Sequence, residues 1–326
     1  PDAVLPSPLC ADPQPTFVTD LEVHRPPSLA EPALHSPFRD PIFGTCIVRV
    51  SDHGDGPGLK NEYARVGSFN ADGTLLLLRD TEGETHLYDA ASLRPLGRLP
   101  ADTEPRWDAR DPDRLYYSEE TRLMSYRIST GSSTLLHDFA EDIPGKVAAV
   151  WTVYEGRPSL DSQTWGLVAE DQEWLPVAFL IYDREKDQVL ARDMRDAPGI
   201  DEDVDHVTIS PLGTYLLASF DRYCEQGRLG DDGDPCGLMV YDRELRRGRG
   251  LLRIIGHYDT ALDVQGREVV VYQDIDEDQI SLLDLESGAV TPLWPIDFSH
   301  TPIGLHFSGR ALHRPGWALV STYSGG

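Results

Sequence analysis

Short strand-and-turn units recur every 35–55 residues or so. Most of them close their third strand with Tyr-Asp or Leu-Asp, and no stretch has helical periodicity of convincing length. Together these features predict an all-β protein, a β-propeller of four-stranded blades. Five full blades and a partial one can be traced, and seven are expected in the complete ring.

The units run in order from a leader. Residues 1–37 hold nine of the 25 prolines and read as a Pro-rich N-terminal arm, with the propeller domain over 38–326. The first blade spans 67–100, with an Asp72-Gly73 turn, a strand at 75–79, a Glu82-Gly83 turn and a strand at 85–88. The second spans 107–139 and has strands at 114–118, 122–128 and 133–137. The third, longer, covers 146–194, with strands at 165–169, 177–182 and 188–192. In the fourth, 206–255, the turn Ser210-Pro211-Leu212-Gly213-Thr214 echoes Asn70-Ala71-Asp72-Gly73-Thr74. The fifth covers 258–294, and a sixth opens at His306 and reaches a strand at 317–322. In Tyr88-Asp89, Tyr182-Asp183, Tyr241-Asp242 and Leu283-Asp284 the apolar residue packs between blades while Asp accepts turn hydrogen bonds. The strand at 44–51 is expected to complete the last blade. The edge at 317–323 would still be open, so the domain reads as incomplete at its C-terminus. Further chain, or another chain, is expected to close the ring.

Composition bounds the partners and the compartment. The chain has 29 Lys+Arg against 55 Asp+Glu, a net charge of -26, and only three lysines. So acidic a surface repels nucleic-acid backbones and anionic headgroups. The apolar stretches near 147–154 and 174–182 are far too short to span a bilayer. Four cysteines occur, Cys10, Cys46, Cys224 and Cys236, without metal or redox CxxC spacing. Three pairings are possible. Cys224–Cys236 would staple a Gly/Asp-rich loop and Cys10–Cys46 would tie the arm to the first strand. Two structural disulfides imply an oxidising compartment, and the start at Pro1 fits removal of a signal peptide. The expected location is secreted, periplasmic or cell-surface.

Chemistry is sparser. His206, His257 and His306 precede the first strands of successive blades, at spacings of 51 and 49 residues. First strands line a propeller's channel, so these imidazoles can converge at one mouth and hold Mn, Zn or Fe with positions left open. Asp205 and Asp259 could orient the rings. His53 and His300 lie in loops and are expected to face solvent. Asp274, Asp276 and Asp278 place carboxylates at alternate positions, as a calcium loop does, but lack the distal Glu. Residues 231–234 and 201–203 are similar acidic turns. No phosphate-binding loop, dinucleotide fingerprint, HExxH, GxSxG or haem motif is present.

The repeats lack the signatures of WD and kelch blades. The turns at 70–74 and 210–214 resemble those of TolB-type propellers. The run Asn61-Glu62-Tyr63-Ala64-Arg65, and the histidines at blade starts, are similar to bacterial oligogalacturonate-lyase-like propellers. That resemblance implies a divalent metal held by histidines from successive blades and a substrate carrying carboxylates. A lyase needs a base and a cation to stabilise the enolate, for which Tyr63, Arg65, His257 and His306 are the candidates. The leading expectation for function is nevertheless non-catalytic. Degenerate repeats and an open ring point to an exported ligand-binding or scaffold module at the cell surface or in an extracellular assembly. The alternative is a polysaccharide (uronate) lyase-like enzyme with a His-bound metal.

Overall fold

A computed structural model describes residues 28–41, 44–52, 58–101, 103–195, 204–296, 304–311 and 314–322. Most of the Pro-rich arm lies outside these residues, as do Cys10, His53, Asp201, Glu202, Asp203, His300 and Tyr323. The fold is an all-β propeller. Among the described residues the only helical piece is a single 3-10 turn, Phe139–Glu141, capped by the Asp138 side chain. No helix among the described residues is long and apolar enough to cross a membrane.

The chain forms two compact units, Pro1–Glu62 with Ser68–Asp102, and Tyr63–Gly67 with Thr103–Gly326. In the first unit, β1 (Phe38–Arg39) pairs with β2 (Cys46–Ile47), and β3 (Leu75–Arg79), β4 (Thr85–Asp89) and β5 (Pro95–Arg98) make a three-stranded antiparallel sheet. A bridge from Phe69 to Leu76 marks where this blade's first strand would run. The strand expected to complete the last blade instead pairs locally with β1. The Asp40 carbonyl accepts from the Gly44 amide, and Gly44 has φ 64. A short loop costs far less closure entropy than pairing across the whole chain.

The second unit repeats one meander four times. Its sheets are β6 (Arg106–Trp107) to β9 (Ser132–Asp138), through β7 (Arg114–Glu119) and β8 (Arg122–Arg127); β10 (Ala149–Trp151) to β13 (Gln188–Asp193), through β11 (Thr164–Glu170) and β12 (Pro176–Asp183); β14 (Val204–Ile209) to β17 (Gly248–Leu252), through β15 (Leu216–Phe220) and β16 (Leu238–Tyr241); and β18 (Tyr258–Leu262) to β21 (Val290–Pro295), through β19 (Glu268–Asp274) and β20 (Gln279–Asp284). A last pair, β22 (Leu305–Ser308) and β23 (Leu319–Thr322), stops at two strands. With β3–β5 this gives five blades among the described residues, where the seven expected from the sequence are not seen.

Alternation along each strand explains the packing. A strand sends successive side chains to opposite faces, and the middle strands are apolar on both. On β12, Ala178, Leu180 and Tyr182 join Tyr116 and Leu123 of the preceding blade, while Phe179 and Ile181 join Val207, Ile209 and Met239 of the next. β16 repeats this, with Met239 and Tyr241 facing back and Leu238 and Val240 facing Tyr258 and Val270. β21, an outer strand, is exposed throughout. The hairpins are closed by side-chain oxygens: Ser210 Oγ takes the Thr214 and Tyr215 amides, and Asp263 Oδ1 those of Gln265 and Arg267. Asp183, Asp242 and Asp284 cap the later turns in the same way. Cys224 and Cys236 form a disulfide. Cys46 is also disulfide-bonded, and its expected partner Cys10 lies outside the described residues.

Candidate functional site

The first strands of four blades converge inside the second unit. Arg157, following β10, bonds Asp259 of β18. Arg310, following β22, donates to Ile209 of β14 at 2.6 Å, to Thr260 of β18 at 3.1 Å, and to the Pro158 carbonyl. These contacts tie the first strands of the four blades together inside the unit. His206 is the third residue of β14, His257 immediately precedes β18, and His306 is the second residue of β22. Residues 63–67 belong to the same unit and carry Tyr63 and Arg65 into it.

These five side chains meet. The His257 and His306 rings stand edge to face with centroids 4.8 Å apart, and Tyr63 packs on His306 at 5.3 Å. Arg65 is buried. Its guanidinium lies 4.8 Å from the Tyr258 ring centroid and 5.3 Å from that of Tyr63. One terminal nitrogen donates to His206 Nε2 at 2.9 Å and the other pairs with Glu155 at 2.8 Å. Arginine only donates, so His206 Nε2 is the acceptor and Nδ1 carries the proton, given to Asp205 at 2.8 Å. Tyr258 stacks on the His206 ring at 5.1 Å.

Burial sets the protonation states. Desolvation lowers the pKa of both His257 and His306, and for His257 the neighbouring His306 adds to it. Both imidazoles are therefore neutral near neutral pH and able to take a proton or a metal. Desolvation, then the negative charge of Glu155, pushes Tyr63 up to about 12, so it stays a proton donor. Burial works against the charge of Asp205, yet the hydrogen bond from His206 holds it below the usual carboxylate range. Burial likewise opposes the charge on Arg65, but Glu155 foremost keeps it firmly protonated.

The donor set for a metal differs from the three-histidine expectation. Both nitrogens of His206 already face protein partners, Arg65 and Asp205. Glu155, Asp205 and His206 do bring three ligand atoms within 4.8 Å of one another. The Arg65 guanidinium bonds two members of that trio and supplies its positive charge. Asp80, Glu84 and His86 form a second such trio in the first unit, where Asp80 already caps a turn and holds His86 at 2.8 Å. The Asp274, Asp276 and Asp278 carboxylates form no such trio. Asp274 accepts from Tyr272 and Ser281, and Asp276 is paired with Arg253. In the 231–234 turn, Asp234 holds Arg222 and Arg228. Asp259, expected to orient a histidine, is taken by Arg157.

Sequence reasoning missed Glu155 and Tyr258. Tyr258 adjoins His257, and its position at the start of a first strand was the available signal. Glu155 sits in no motif. It reaches the site because Val153 and Tyr154 take positive φ, 55 and 67, turning the chain inward after β10. Gly156 completes that turn: a Cβ there would fall 2.0 Å from the Val207 carbonyl oxygen. Behind it, buried Glu104 accepts from the Thr152 and Tyr154 amides, and Arg106 donates to the Tyr154 and Gly156 carbonyls.

No protein-family model matches the chain, and no curated protein does. Among solved structures, an oligogalacturonate lyase in complex with manganese superposes with a TM-score of 0.57 at 13% identity, covering 87% of this chain and 80% of that one. An oligogalacturonate lyase from Vibrio parahaemolyticus gives 0.57 at 11% identity, over 84% and 74%. At such identity the likeness establishes the propeller fold and nothing finer. TolB from Acinetobacter baumannii also matches, over 70% of this chain and 54% of that one at 18% identity, but its TM-score of 0.39 carries no argument.

Proposed function

We propose that the chain binds an acidic polysaccharide at the converged strand starts and cleaves it by β-elimination, as a uronate lyase. The observation that carries this reading is the packing of a protonated Tyr63 on neutral His306, whose ring stands against that of neutral His257, beside the buried cation Arg65. The structural likeness to oligogalacturonate lyases supports it. In the reaction, neutral His306 takes the proton from the carbon bearing the carboxylate, and His257 backs its ring. The electron pair forms a carbon–carbon double bond as the bond to the neighbouring glycosidic oxygen breaks, and Tyr63 supplies the proton that oxygen needs. Arg65 contributes a fixed positive field rather than a direct contact, because Glu155, His206 and the two tyrosines enclose it. A divalent cation held through His257, with His306 left as the base, would supply a direct partner for the substrate carboxylate. The disulfide and the acidic, lysine-poor surface favour an exported protein.

Tyr63→Phe and His306→Ala test the assignment on oligogalacturonate, followed by the ultraviolet absorbance of the unsaturated product. Each should lose about 10²–10⁴-fold in kcat while the fold survives. Full activity in both would overturn it. A ligand-binding module without catalysis is the second reading, favoured by the engagement of both His206 nitrogens. It predicts saccharide binding with no absorbance change in the native protein.

A further inference from the structure

Beside the site, the β10–β13 blade carries an exposed aromatic cluster. Trp151 contacts Tyr154 at 4.7 Å and Trp174 at 6.1 Å between ring centroids. Trp174 is 61% exposed and Tyr154 46%. Trp151 is anchored by its indole N–H, which donates to Glu170 at 2.8 Å. Trp174 tops the tight turn between β11 and β12. There Asp171 Oδ1 takes the Glu173 and Leu175 amides, and Trp174 itself has φ 64. A bulky residue in the left-handed region is unfavourable, and so are the two consecutive ones at Val153 and Tyr154. The backbone is thus strained on both sides of the cluster, and the rings it holds face water.

The cluster lies at the same end of the blade as the histidines. Ala149, which opens β10, pairs with Glu170, which closes β11, so the β11–β12 turn stands where the first strands begin. Tyr154 immediately precedes Glu155, whose carboxylate pairs with Arg65. The β11–β12 turn that carries Trp174 also borders a cleft of about 430 Å³ lined by Lys146, Asp171, Gln172, Glu173, Val177 and Arg195. It offers cations, an amide and carboxylates at the turn that carries Trp174. Apolar rings that stack on a sugar's C–H face, beside mixed polar groups that meet its hydroxyls and carboxylates, are the chemistry of a saccharide subsite.

We propose that Trp151, Tyr154 and Trp174, with the Lys146/Arg195 cleft, form a subsite that holds the extended part of an acidic oligosaccharide whose reacting end lies at His257 and His306. The choice of an acidic sugar rests on the lyase reading, whereas the stacking itself does not need turnover. The subsite makes affinity depend on chain length: a hexamer reaches the rings and a dimer seated at the histidines does not.

Calorimetric titration of the full chain with galacturonate hexamer and dimer tests this. Trp174→Ala should weaken hexamer binding about tenfold and leave dimer binding unchanged. Trp294→Ala, an equally exposed tryptophan on the outer strand β21, should change neither. His306→Ala should abolish elimination while keeping the length-dependent affinity, so loss of the lyase reading alone is recognised by binding without turnover. Equal loss for hexamer and dimer, the same loss in Trp294→Ala, no loss in Trp174→Ala, or a native protein that binds no hexamer would each overturn the subsite.

Discussion

Arg65 ties together more of the site than any other side chain. It bonds His206 and Glu155 and lies over two tyrosine rings, so replacing it strands a half-buried carboxylate. Arg65→Met should cost about 3–5 kcal/mol of stability, readable as a lower denaturation midpoint, and Glu155→Gln in the same chain should restore part of it. If Arg65→Met unfolds at the native midpoint, the guanidinium is not the keystone described above. The histidines make a pH prediction. Their folded pKa values lie below the unfolded value of about 6.5, so the unfolded chain binds protons first as pH falls. Stability is therefore lost progressively below that value, down to the depressed native pKa values. The acid limb of kcat/KM should likewise sit below the ordinary imidazole range, and a limb above it would contradict neutral bases at His257 and His306. At this scale the sequence was a good guide to which side chains meet and a poor one to their pairing. The spacing of three histidines placed them at equivalent strand starts, but nothing in it revealed that Arg65, 141 residues away from His206, would occupy that imidazole.

Turns and strands were legible because their rules are local. A period of two with apolar residues on both faces marks a strand buried between blades, and Asp, Asn or Ser at a strand end marks a hairpin that caps its own amides. The inward turn at 153–156 was not legible, since it depends on a close approach to another blade. Gly156→Ala tests that approach. The added methyl would meet the Val207 backbone and the Thr152 side chain. The cost should be at least about 1–3 kcal/mol, with the site's activity falling alongside because Glu155 moves. An alanine accepted without loss would mean the strands sit further apart. The Cys224–Cys236 bridge closes a segment with a sequence separation of 12. Replacing both cysteines with serine should cost about 3 kcal/mol by loop-closure entropy, seen as a lower thermal midpoint that reducing agent reproduces in the native chain.

For the whole molecule, repetition carried the reading. Five blades were visible as recurring turn signals, and the all-β class followed from them. Blade closure was not, because pairing between distant segments leaves no local trace: the 44–51 segment found a partner within ten residues of itself, and β22–β23 remained a two-stranded sheet. Nor did a net charge of -26 reveal that the interior gathers Arg65, Arg106, Arg157 and Arg310. The interior charge would reconcile an acidic protein with the acidic ligand proposed above, and the chemistry proposed at His306 can be weighed directly. Mass spectrometry of an oligogalacturonate digest distinguishes the possible reactions, since elimination leaves one fragment lighter by a water molecule than hydrolysis would. The native chain should yield that unsaturated fragment, and His306→Ala should not. Intact oligomer, or fragments that have all gained water, would contradict the assignment of Tyr63, His257 and His306 to a β-elimination site.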